Sequence, residues 1–317
     1  MSVNDGGEDI TDTLTWGNLE FYTCSMSPSR EEPGDLSDAL GASCFFDKLL
    51  GHPAEVYEPQ GDEFLLHSPR GDARPLPVYV SDACFSPLLA RERGAPRRAV
   101  ILAHDARGFS HEPGASRLRE LADAVARDLG AVAVAPDFFR GEGWNERDQG
   151  PAYHDADARR AWFARVSDPD AIGRDLDEIV VPFLHNDRGV RGGDVAALGF
   201  SWGGAVCFVA GRYAWCCCGA AAHSTLSCFS LRGSSPTEAA ALVKCPQMLL
   251  QSGADPDATK RGSALQEALP GASVLDDYPA MKHGFLLRGD RDDPAVARDA
   301  RDATARLLAF VEQHQGV

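Results

Sequence analysis

The chain has 317 residues, 44% of them hydrophobic and 25% charged, enough to bury one substantial core or two small ones. With 47 acidic against 31 basic side chains and a formal net charge of −16, it would be repelled by nucleic acid and by anionic membrane surfaces, so neither is expected as a partner. No stretch reaches the roughly eighteen uninterrupted apolar residues that a membrane span requires.

Residues 1–51 read as an acidic N-terminal extension, partly ordered around Trp16 to Tyr22. Residues 1 to 40 hold nine Asp or Glu against one Arg, are broken by Gly6-Gly7, Pro28 and Pro33-Gly34, and contain no apolar core of signal-peptide length. A cytoplasmic protein is therefore expected. The nine cysteines include no C-x-x-C pair, and three are adjacent at Cys216, Cys217 and Cys218. They read as reduced thiols acting as small hydrophobes, not as a zinc or disulfide framework.

Residues 52–317 read as one domain in which strands and helices alternate. Glu63 to Leu66 and Leu76 to Val80 read as strands flanking a turn at Ser68-Pro69-Arg70-Gly71. Ala99 to Ala103 is a continuous apolar run, the mark of a strand buried on both faces. Leu118, Leu121, Ala122, Val125 and Leu129 then recur at helical spacing until Gly130, and Ala131 to Ala135 is another buried strand. Residues 141 to 169 interrupt this rhythm and are placed to cover a cleft, with Trp144, Trp162 and Phe163 read as packing residues. A helix follows over Ile172 to Leu184. Beyond it come a strand at Val195 to Leu198, a helix at Gly204 to Tyr213, and strands at Trp215 to Ala222 and Met248 to Leu250. A helix at Ala258 to Leu269, a strand at Ser273 to Tyr278 and a helix from Val296 to Val311 complete the pattern. Such alternation predicts a mostly parallel sheet covered on both sides, with ligands bound at the carboxyl ends of its strands.

Chemistry concentrates at Gly199-Phe200-Ser201-Trp202-Gly203-Gly204, which follows a buried strand and opens a helix. Glycines there let strand and helix backbones approach, and the turn pushes the Ser201 hydroxyl into the cleft. A serine hydroxyl is a poor nucleophile unless an oriented base takes its proton. Asp255, in Gln251-Ser252-Gly253-Ala254-Asp255, and His283, in Met281-Lys282-His283-Gly284-Phe285, both fall just past strands. The order Ser, Asp, His is that of α/β-hydrolases. Two backbone amides, of Trp202 and Ala106, are expected to form an oxyanion hole. Asp257 is a rival for the Asp255 position. The Gly-rich Arg191 to Asp194 reads as a tight turn rather than a phosphate loop.

At these residues the chain resembles the dienelactone hydrolase (carboxymethylenebutenolidase) family of α/β-hydrolases, over roughly residues 52 to 312. The matching stretches are Ala99 to Gly108, Val134 to Gly141, Gly199 to Gly204, Gly253-Ala254-Asp255, and His283-Gly284-Phe285 with Arg288-Gly289-Asp290. The resemblance implies an α/β-hydrolase fold and a triad of Ser201, Asp255 and His283. It also sets Asp105 where the family often has an acidic residue near the nucleophile. Asp105 either tunes the nucleophile or pairs with Arg107 or Lys282; Arg107, His104 and His223 are candidate pocket residues, and Arg288 is a candidate anion contact. The family's best-known members carry cysteine at the nucleophile position. Serine there favours hydrolysis of a small ester or lactone through an acyl-enzyme, and weakens dienelactone as the substrate. No metal or organic cofactor is expected, and the protein is expected to be a monomer or small homo-oligomer. The alternatives are a small-molecule binding or interaction protein on the same fold with little turnover, or a peptidase-like hydrolase.

Overall fold

Uninterrupted apolar runs become the strands that carry the fold. The computed structural model describes residues 57–71, 74–82, 97–109 and 114–315; the N-terminal extension, with Cys24 and Cys44, lies outside the described residues. The strands are β1 (Asp62–Leu66), β2 (Leu76–Asp82), β3 (Arg97–Ala103), β4 (Val132–Pro136), β5 (Val190–Phe200), β6 (Cys216–Ala222), β7 (Gln247–Ser252) and β8 (Val274–Tyr278). They form one sheet of eight strands in the order β1-β2-β4-β3-β5-β6-β7-β8. β2 runs antiparallel to both β1 and β4, and every other pairing is parallel.

Alternate residues of each strand enter opposite cores. Ala99, Ile101 and Ala103 of β3 join Val195 and Ala197 of β5 in one core; Val100 and Leu102 join Ala196, Leu198 and Phe200 in the other. The second core is closed by Leu118 and Val125 of α1 (Gly114–Leu129) and by Leu307 and Val311 at the far end of the chain. The first is closed by a longer run. After a single turn, α2 (Glu146–Gln149), come α3 (Ala156–Val166), α4 (Pro169–Arg174), α5 (Val181–Arg188) and α6 (Gly203–Ala210). Burial on both faces explains why these strands read as continuous apolar runs.

β3 lies between β4 and β5. The chain leaves β3 for β4 through α1 on one face and returns to β5 through α3 to α5 on the other. Crossovers that diverge in this way open a crevice at the carboxyl ends of the central strands, where the chemistry-bearing residues fall.

Four stretches differ from the expectation. The helix over 172–184 extends to Pro169 and Arg188 but contains a π-helical turn at Asp175–Val180, because Pro182 has no amide hydrogen for the Glu178 carbonyl. The expected helix over 258–269 is instead a 3-10 turn at Asp257–Thr259 and a single turn, α8 (Ala264–Ala268), separated by Gly262 at φ 80°. Arg191 to Asp194 is not a free-standing turn. The β3/β5 register passes from Arg97↔Val190 to Ala99↔Val195, so these residues bulge out of the ladder inside β5. Between β6 and β7, where the sequence had assigned no element, lie a 3-10 helix (Leu226–Arg232) and α7 (Pro236–Ala241). Ser235 and Glu238 form a capping box at the start of α7. After β8 come α9 (Phe285–Arg288) and the long α10 (Pro294–His314). No described helix is long and apolar enough to cross a membrane.

Candidate active site

β5 ends at Phe200, and the next residue holds the left-handed backbone conformation, with Ser201 at φ 55°. A β-carbon at Gly199 would fall 2.2 Å from the Gly203 carbonyl oxygen, and one at Gly203 would fall 2.3 Å from the Ala103 oxygen. Only glycine permits this crossing of β5, α6 and the end of β3. The strained Ser201 backbone is held by its surroundings. Its amide donates to the Ala222 carbonyl (3.1 Å), and its own carbonyl accepts from the amides of Gly204 (3.0 Å) and Thr225 (2.9 Å).

Ser201, His283 and Asp255 are hydrogen-bonded in series. Ser201 Oγ is 2.8 Å from His283 Nε2, and His283 Nδ1 is 2.5 Å from Asp255 Oδ1. The second Asp255 oxygen accepts from the Ser252 amide at 2.6 Å. Burial alone would raise the Asp255 carboxyl, but the hydrogen bond and charge of His283 outweigh it and hold the group below the usual carboxylate range. Asp255 is therefore ionised and acceptor-only, so Nδ1 carries the imidazole proton and Nε2 is free to accept one from Ser201. The rival Asp257 points to solvent, its side chain 97% exposed beside Lys260.

The turn after β3 packs beside this series. The Ala106 carbonyl accepts from the Trp144 amide (2.7 Å), and Asn145 Nδ2 donates to the Arg107 carbonyl (3.0 Å). Residues 143–145 thus clamp the turn whose Ala106 amide was expected to meet that of Trp202. Trp144, Trp162 and Phe163 are all buried in the core.

Asp105 pairs with neither of the cations expected from sequence. Arg288 grips it with two bonds, from Nη2 to Oδ1 at 2.7 Å and from Nε to Oδ2, while the Arg107 contribution is a backbone amide to Oδ1 at 2.9 Å. Burial pushes the Asp105 carboxyl up, but the Arg288 charge and hydrogen bonds win and keep it low. Burial and the nearby Arg288 charge lower Arg107.

His104 is buried and engaged on both sides: Nδ1–H donates to the Asp105 carbonyl (2.8 Å) and Nε2 accepts from the Phe138 amide (3.2 Å). Its ring stacks on Trp202 at 5.6 Å. His223 is also fully buried, at φ 41°, with its ring edge-on to His283 at 5.2 Å and to Phe285 at 5.6 Å. Neither of its ring nitrogens has a hydrogen-bond partner. Among the described residues no cluster of His, Cys, Asp or Glu is placed to hold a metal ion.

Sequence reasoning missed Thr225, whose Oγ1 is 3.1 Å from Ser201 Oγ. No motif marks it; its only signal is position, three residues beyond β6, the strand that pairs with β5 just before Ser201.

Comparison with solved structures finds the same fold. A candidate dienelactone hydrolase from Klebsiella pneumoniae subsp. pneumoniae MGH 78578 is 19% identical, with a TM-score of 0.55 over 80% of this chain and 98% of that one. A cold-adapted esterase from an Arctic intertidal metagenomic library is 17% identical, with a TM-score of 0.54 over 83% of this chain and 97% of that one. An acylaminoacyl peptidase from Pyrococcus horikoshii is 14% identical, with a TM-score of 0.55 over 87% of this chain but only 44% of the peptidase. No curated protein matches the sequence. The sequence profile of the dienelactone hydrolase family matches residues 85–315, and the chain belongs to that family.

Proposed function

We propose that the protein is a serine hydrolase of small esters or lactones, with Ser201 as nucleophile, His283 as general base and acid, and Asp255 as the group that orients His283. The observation that carries this reading is the unbroken series Ser201 Oγ, His283 Nε2, His283 Nδ1, Asp255 Oδ1, with bonds of 2.8 and 2.5 Å. Ser201 Oγ attacks the carbonyl carbon as its proton passes to His283 Nε2. The carbonyl electron pair moves onto oxygen, where the amides of Trp202 and Ala106 receive it. Collapse of that intermediate expels the alcohol oxygen, which takes the proton back from His283. Water activated by the same imidazole then releases the acid and restores Ser201. For a lactone the alcohol stays tethered, and the product is one hydroxy acid.

A serine here needs its base, so the intact His283 and Asp255 pairing matters more than it would for a cysteine activated by neighbouring charge. Asp105 and Arg288 pair with one another beside the site, so the Arg288 guanidinium is already engaged by a carboxylate. All six described cysteines are free thiols, in keeping with a reducing cytosol.

The test is hydrolysis of p-nitrophenyl acetate, p-nitrophenyl butyrate and cis-dienelactone by the wild type and by Ser201→Ala. Turnover abolished by the substitution is expected. Full activity in the variant would overturn the mechanism.

A further inference from the structure

The segment after β6 holds the nucleophile more closely than an ordinary turn requires. The Ser201 amide donates to Ala222, and Thr225 donates its amide to the Ser201 carbonyl. The His223 amide reaches the Leu250 carbonyl at 2.7 Å, and the Ser224 amide reaches Gln251 Oε1 at 2.6 Å. Gln251 is anchored in turn, with Nε2 donating to Thr259 Oγ1 at 2.7 Å. A buried amide side chain in β7 therefore fixes where Thr225 stands, and Thr225 brings a second hydroxyl to 3.1 Å from Ser201 Oγ.

Hydrogen counting decides the direction of that contact. Ser201 Oγ has one proton, and His283 Nε2, 2.8 Å away, is an acceptor because Nδ1–H faces the ionised Asp255. The serine proton is thus committed to His283. Between Ser201 and Thr225 the only proton left is that of Thr225.

We infer that Thr225 is a further catalytic residue, a hydroxyl donor to the nucleophilic oxygen of Ser201; this rests on the serine-hydrolase reading above. The four tetrahedral directions around Oγ are then assigned: the bond to Cβ, the proton shared with His283, a lone pair accepting from Thr225, and one lone pair left to attack. The donor does two things. It stops the Ser201 hydroxyl from turning away from His283, and it stabilises the negative charge that builds on Oγ as its proton leaves. Thr225 keeps its own proton throughout, so no proton or electron is left unbalanced. Hydrogen bonds to charged atoms are stronger than those to neutral ones, so the contact tightens as the alkoxide character grows.

The test uses the full chain and a fluorophosphonate probe, which reports attack by Ser201 on phosphorus with loss of fluoride and does not depend on the natural ester. Labelling rates are measured for the wild type, Ser201→Ala, Thr225→Val, Thr225→Ala and Thr225→Ser, with a thermal melt for each. Losing the hydroxyl in Thr225→Val is expected to slow labelling by about 10- to 100-fold, the range for a hydrogen bond to a charged atom. Probe affinity and melting temperature should change little, and Thr225→Ser should label close to the wild-type rate. Thr225→Ala gives the same reading should the valine variant fail to fold. Wild-type labelling by Thr225→Val or Thr225→Ala would overturn the inference, as would equal losses in the serine variant. Labelling of Ser201→Ala, or none of the wild type, would instead overturn the serine-hydrolase reading itself.

Discussion

Asp105 and Arg288 form a buried, two-pronged ion pair, with Nη2 2.7 Å from Oδ1, side chains 8% and 15% exposed, and no more than a turn of helix between Arg288 and the His283 loop. It ties the turn carrying Ala106 to the segment carrying His283. Removing one partner leaves the other charged and dry. Arg288→Met is therefore expected to cost about 3–5 kcal/mol of stability, whereas the double variant Asp105→Asn/Arg288→Met should cost less than the sum of the two single changes. Urea denaturation of the four proteins at pH 7 measures this. A carboxyl lowered in the folded state contributes stability that is complete above about pH 4 and lost as the pH falls through the folded value. The advantage of the wild type over the double variant should accordingly shrink in acid; a gap that stays constant down to pH ~2.5 would argue against an ionised Asp105.

Asp255 and Asp257 separate cleanly by environment. Asp255 is 2% exposed at its side chain and bonded to His283, whereas Asp257 is solvated beside Lys260. Asp255→Asn keeps the shape but offers His283 the wrong hydrogen-bonding partner, so kcat is expected to fall by roughly 10⁴-fold. Asp257→Asn should leave kcat unchanged. Ester hydrolysis by the purified variants distinguishes the two, and the reverse ranking would move the orienting role to Asp257.

The alternation of strands and helices in a mostly parallel sheet was legible in the sequence, and Ser201, Asp255 and His283 stood out as candidates, because both depend on short local signals; the order of the strands in the sheet was not. Buried parallel strands must be apolar throughout, as at Val100 to Leu102, and the sharp turn at Ser201 needs glycine where backbones touch, as at Gly199 and Gly203. Pairings between distant loops were not legible. Arg288 lies 183 positions from Asp105, and nothing local prefers it over the nearer Arg107. Thr225 escaped for the same reason, since β5 and β6 set its hydroxyl beside Ser201 through a parallel register that no single segment encodes. The bulge at Arg191 to Asp194 is visible only once β3 pairs with β5.

The last helix offers a stability test remote from the chemistry. Asp293 accepts at Oδ1 from the amides of Ala295 (2.8 Å) and Val296 (3.4 Å), with Pro294 opening α10. That helix supplies Leu307 and Val311 to the second core. Asp293→Ala removes the cap and is expected to cost about 1 kcal/mol with no change in kcat. A lowered urea midpoint at unchanged activity would bear this out, and a loss of activity without a loss of stability would contradict it.

His223 makes stability depend on pH. Burial, and next the charge of the neighbouring His283, push its pKa down to about 3. A histidine buried in neutral form contributes stability that is complete above its unfolded value of about 6.5 and is lost as the pH falls toward the folded value, at about 1.4 kcal/mol per pH unit. Its φ of 41° limits the substitutions that leave the backbone relaxed, and asparagine tolerates that region. His223→Asn removes the titration and retains a polar side chain. The urea midpoint of the wild type should fall more steeply than that of His223→Asn between pH 7 and pH ~4, the two curves converging or crossing in acid. Parallel curves over that interval would mean that His223 binds its proton at the same pH in the folded and unfolded chains, which a fully buried ring against the His283 imidazole does not allow.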